Sequence, residues 1–169
     1  MYYLAVRQFV KTLKSLDIIL DKAAKHAQAK NFAVDNFVEM RLVPDMLPFV
    51  AQIRIACDAA KTTAAALAGK EPPRHEDNEK TFEELRGRIG KCLAYLETFT
   101  AADFEKTNAK TVVKVPSPKG KALYAEEYLF GRQLPNFFFH VTTAYNLLRQ
   151  GGVELGKMDY LGGFNLIDA

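Results

Sequence analysis

Four long stretches of this chain carry apolar residues at spacings of three and four, a period that only packed α-helices satisfy. In the first, Val6, Phe9, Leu13, Leu16, Leu20, Ala23 and Ala27 fall on one stripe, while Lys11, Lys14, Asp21, Lys22 and Lys25 take other angles. The spacing predicts a helix from Tyr2 to Gln28. KNFAVDNFVEMRLVPD holds no sustained period and reads as a connection, with a short helical turn around Asn36 to Met40. A second helix is expected from Pro44 or Asp45 to Gly69, capped by Asp45, with Pro48 tolerated in its first turn. Met46, Phe49, Val50, Ile53, Cys57, Ala60, Ala64 and Leu67 form its stripe, and Arg54, Asp58 and Lys61 are spaced for ion pairing on another face. After the polar linker KEPPRHEDNE, a third helix is expected from Glu79 to Phe99. Thr81 and Glu84 have capping-box spacing there, and Asp77 or Asn78 are alternative caps. Gly87 and Gly90 lower its intrinsic preference.

The period then changes. TVVKV at 111–115 is β-branched, a turn PSPKGK follows, and Ala122 to Leu129 completes an expected β-hairpin. A two-stranded ribbon needs support from the bundle. A fourth helix is expected from Pro135 to Gln150, ended by Gly151 and Gly152. The tail GVELGKMDYLGGFNLIDA is apolar enough to pack down, and its four glycines argue against a further helix. These readings give an all-α fold: one domain over 1–169, an antiparallel four-helix bundle with a small β-hairpin between helices 3 and 4.

Composition narrows the function classes. The 169 residues suit one core, and 49% hydrophobic with 25% charged residues is ordinary for a globular chain. A net charge of +3, spread along the sequence, argues against nucleic-acid binding. No apolar run approaches the ~20 residues of a membrane span, and the charged opening MYYLAVRQFVKTLKSLD is unlike a signal peptide. Cys57 and Cys92 sit inside apolar helical patterns and read as buried, reduced thiols of a cytoplasmic protein, with an interhelical disulfide as the alternative.

The stretch LPNFFFHVTTAYNLLR is the most unusual. Neighbours on a helix differ by about 100°, so three consecutive phenylalanines cannot share a face, and one must cover a second surface. His140 lies among them, on a face with Asn136, Thr143 and Ala144. Two roles stay open for His140: a ligand or general base, or a buried neutral imidazole bonded to a neighbour. Gln52, beside the stripe of the second helix, faces either a cavity or wetted surface. A bundle metal site needs several converging His, Asp or Glu side chains. With three histidines in all, His26, His75 and His140, and none paired one turn apart, neither metal nor cofactor is expected. No sequence-local catalytic motif occurs. The expected ligand-binding residues are therefore Gln52, Asn136, His140 and Tyr145, with no catalytic residue assigned.

LVPDMLPFVAQIRIACDAAK, DNEKTFEEL, LPNFFFHVTTAYNLLR and VELGKMDYLG together resemble an uncharacterised bacterial family of the DinB and YfiT-like four-helix superfamily, and the resemblance covers nearly the whole chain. It implies an up-down-down-up bundle, often a homodimer. In the better-studied branches, which include thiol-dependent transferases and isomerases, a metal is held by one histidine from helix 2 and an H-x-x-x-H pair late in the bundle. Here the residue four after His140 is Ala144, and helix 2 offers Gln52 in place of a histidine. The resemblance thus implies a fold more than an activity. One expectation is a non-catalytic bundle that binds a small molecule or self-associates. The alternative is a metal- or thiol-dependent transferase or hydrolase with a rearranged site around His140.

Overall fold

The computed structural model describes residues 1–167. Four long helices form the body: α1 (Tyr2–Ala29), α2 (Phe49–Leu67), α3 (Phe82–Leu96) and α4 (Leu134–Gln150). A fifth, α5 (Lys157–Leu161), follows, and β1 (Val112–Lys114) pairs antiparallel with β2 (Ala122–Tyr124) in the register Val113↔Leu123. Their apolar stripes meet in one core that includes Phe9, Leu16, Ile53, Leu85, Phe137 and Leu148. Among the described residues, no helix is long and apolar enough to cross a membrane.

Side-chain contacts fix the helix directions. Phe49 stacks on Phe82 with ring centroids 5.8 Å apart, so the first residues of α2 and α3 lie side by side. Further along the same two helices, Cys92 Sγ lies 3.3 Å from the Cys57 carbonyl. The two therefore run parallel. Against α1, Arg86 pairs with Asp17 and Glu97 with Lys14, so rising numbers on α3 meet falling numbers on α1. Phe9 packs edge-on against Phe137, and a Cβ on Gly152 would lie 3.6 Å from His26 Nε2, so α4 runs with α1. The order is up-down-down-up. Around the bundle, α2 packs chiefly between α4 and α3, and α1 lies against α3.

Several element ends differ from the sequence reading. Helix α2 starts at Phe49 with Pro48 as N-cap, rather than at Pro44 or Asp45. Its first amides need no Asp45, because Phe49 N–H donates to the Met40 carbonyl and Val50 N–H to that of Val38. Helix α3 is shorter than expected and begins after Thr81, whose hydroxyl and Glu84 form the capping box. The second strand stops at Tyr124; from Ala125 the chain is helical, with π geometry over Glu127–Gln133, and runs straight into α4. The missing N–H and the ring of Pro135 are accommodated by this wider turn. The tail does contain a helix: Asp159 accepts from Gly156 N–H at 2.8 Å and pairs with Lys22 at 2.6 Å, which offsets the unfavourable glycines. Val153 and Leu155 pack down, whereas Phe164, Leu166 and Ile167 are exposed; positions 168 and 169 lie outside the described residues.

The parallel α2–α3 pair requires segment 68–81 to travel back along the bundle. A buried guanidinium secures it. Arg88, 2% exposed, donates to Glu79 Oε1 at 2.8 Å, to the Glu76 carbonyl at 3.1 Å and to Asp58 Oδ1 at 2.8 Å. Arg54 holds the other oxygen of Glu79, and Lys61 the shared oxygen of Asp58. The linker is thus fastened to both helices by ion pairs that the sequence pattern alone does not predict.

Candidate functional site

The π-helical run sets the phase of α4 so that Phe137 and His140 turn inward, Phe138 packs partly buried against the core, and Phe139 stays 56% exposed. His140 then meets Gln52 from the first turn of α2. Gln52 Nε2 donates to the Leu47 carbonyl at 2.9 Å, which orients the amide and turns Oε1 toward His140 Nδ1, 2.7 Å away. An amide oxygen only accepts, so Nδ1 carries the proton. Burial lowers the His140 pKa below its ordinary 6.5, and the ring is neutral at pH 7. Its Nε2 consequently holds a lone pair. Nε2 has no hydrogen-bond partner among the described residues, and His140 as a whole is 8% exposed.

Gln52 is not wetted surface: it is 1% exposed, with its amide bonded at both ends. Asn136, one turn before His140, is half-buried. Thr143 is buried, with its hydroxyl donating to the Phe139 carbonyl at 2.7 Å. Tyr145 is turned elsewhere, its hydroxyl donating to the Leu155 carbonyl at 3.4 Å and its ring edge-on to Tyr160. The structure therefore joins Gln52 to His140, places Asn136 alongside on the helix, and directs Tyr145 to the tail.

These side chains do not fit a three-histidine metal centre. Gln52 Oε1 is engaged by the His140 proton, and the position one turn after His140 is the fully buried methyl of Ala144. Among the described residues, no group of three His, Cys, Asp or Glu converges. Neither cysteine replaces them. The hydrogen bond with Cys92, then burial, push the Cys57 thiol well up, so it stays protonated and a poor nucleophile.

The profile of a family described as a domain of unknown function (DUF1993) matches residues 1–161. The chain belongs to the DUF1993 family. The crystal structure of a DinB family member protein from Shewanella denitrificans matches this DUF1993 chain with 42% identity and a TM-score of 0.93, covering 99% of this chain and 95% of that one. The DUF1993 fold is accordingly a DinB-like helical bundle, as the quoted sequence blocks imply. No curated protein matches the sequence.

Proposed function

We propose that this DUF1993 protein is a non-catalytic bundle that holds a small polar ligand at His140. The carrying observation is the fixed tautomer: Gln52 holds His140 so that Nε2 is a neutral acceptor left without a partner among the described residues. A ligand O–H or N–H would bind there, with Asn136 supplying amide hydrogen bonds and Phe139, edge-on to the imidazole at 5.2 Å, supplying apolar cover. Thermal shift against a panel of hydroxyl- and amine-bearing metabolites tests this. At least one compound should raise the melting temperature of the native chain and fail to do so in His140→Ala. A panel without effect, or an effect that survives His140→Ala, overturns the proposal.

A homodimer belongs to the same reading. Leu4 and Ile18 are exposed on α1 and line a groove of about 620 Å³ bordered by Gly162, Gly163 and Asn165, and Leu166 and Ile167, next in the chain, are exposed as well. Burying such groups is what an isologous interface does. Light scattering should give twice the chain mass of 18.9 kDa. The free, buried Cys57 and Cys92 support a reducing, cytoplasmic setting.

A further inference from the structure

A second polar cavity, of about 410 Å³, opens where segment 68–81 passes over α3. Arg74 and His75 line it from the segment, and Gly87, Arg88 and Lys91 line it from the helix. Glu76, Glu79 and Glu84 also line it. Glu79 is bonded through both oxygens to Arg54 and Arg88, and Glu84 accepts from the amides of Lys80 and Thr81. Asp58 and Asp77 face Arg88, and among the described residues the Glu76 carboxylate meets only the Asn78 amide. The bases are less fully used. Among the described residues, Arg74 and Lys91 enter no ion pair, Arg88 Nε–H is buried without an acceptor, and His75 Nδ1 is buried without a partner. A buried donor left without an acceptor costs about 1–3 kcal/mol, and a guanidinium proton is never removed to relieve it. A Cβ on Gly87 would meet nothing within 4 Å, so the helix side of the cavity is open.

We propose that this cavity binds the oxyanion of a small molecule, a carboxylate or a phosphate, between Arg88, Lys91 and Arg74. The anion supplies the acceptor that Arg88 Nε lacks, and the two exposed cations hold its remaining oxygens. Asp58 and Glu79 keep their pairs with Arg88, and because Nε–H is closed to solvent the segment that passes over it must shift for the anion to reach it. This site is independent of His140.

Titration of the full chain with inorganic phosphate and, separately, with succinate tests it, followed through the side-chain Nε–H resonance of Arg88, with sodium chloride at matched ionic strength as control. One of the two anions should shift that resonance saturably with a dissociation constant of about 1 mM or lower. The Arg74→Ala, Lys91→Ala double variant, which alters only exposed side chains, should weaken binding at least about tenfold. His140→Ala should leave it unchanged. Saturable phosphate binding alone identifies a phosphate-bearing ligand, and succinate binding alone a carboxylate. An Arg88 resonance that no anion moves, or moves only as sodium chloride does, overturns the proposal, as does full affinity in the double variant.

Discussion

Gln52 and His140 lie 88 positions apart in sequence and 2.7 Å apart in the fold, and each settles the other's hydrogen bonding. Gln52→Ala would leave His140 Nδ1–H and the Leu47 carbonyl without their partner, at a cost of about 1–3 kcal/mol in urea unfolding. The buried ring also sets a pH dependence. The folded His140 resists a proton that the unfolded chain accepts, because burial lowers its pKa from 6.5. Its contribution is therefore complete above pH 6.5 and is lost as pH falls from there toward the folded value. His75, lowered by burial and then by Lys61, acts in the same direction. Unfolding free energy measured from pH 7.5 down to about 5, above the range where carboxylates titrate, should fall, and His140→Gln should flatten the slope. In the sequence, the helix period placed His140 and Asn136 on one face, but nothing local revealed that Leu47 would orient the Gln52 amide. Tyr145 is 500° of helix turn beyond His140 at ~100° per residue, so its departure toward Leu155 follows from the angle. The charge network around Arg88 gave no sign beyond the spacing of Arg54, Asp58 and Lys61, because two of its acids, Asp77 and Glu79, come from a linker whose path only the fold defines.

At the level of elements, glycines separate two kinds of helix position. Gly87 and Gly90 lie inside α3, and a Cβ at either would meet nothing within 4 Å. Alanine there should stabilise the protein by about 0.5–1 kcal/mol per site, through chain entropy and helix preference. Gly151, just past the end of α4, is the opposite case: a Cβ would come within 2.5 Å of the buried Phe37 ring. Gly151→Ala should cost about 1–3 kcal/mol by overpacking, and paired thermal melts of the three variants would show the contrast in sign. The same periodicity made four helices readable and their ends less so. The end of α2 moved because loop carbonyls from Val38 and Met40, not a side chain, satisfy its first amides. The second strand was read too long because Tyr128 and Leu129 are apolar in either conformation. Their burial belongs to the π turn rather than to a sheet.

For the whole molecule, the Arg88 cluster ties α2, α3 and segment 68–81 together through buried charge. Arg88→Met keeps much of the bulk but removes the charge between Asp58 and Glu79. Breaking one side of such a buried pair costs about 3–5 kcal/mol, measurable by urea unfolding, and limited proteolysis should then cut at 70–78 first. The up-down-down-up course itself was implied by resemblance and is borne out by the contacts of Phe49 with Phe82 and of Arg86 with Asp17.

That course has a consequence for how the chain is made. Because α2 is wedged between α3 and α4, synthesis delivers it well before either flank can be covered. When residue 67 leaves the ribosome, only the light contact with α1 is on offer. The Gln52 amide finds its imidazole only after the final long helix emerges. A nascent chain stalled before position 134 should hence bind chaperones along α2, and release should coincide with arrival of the last quarter of the sequence.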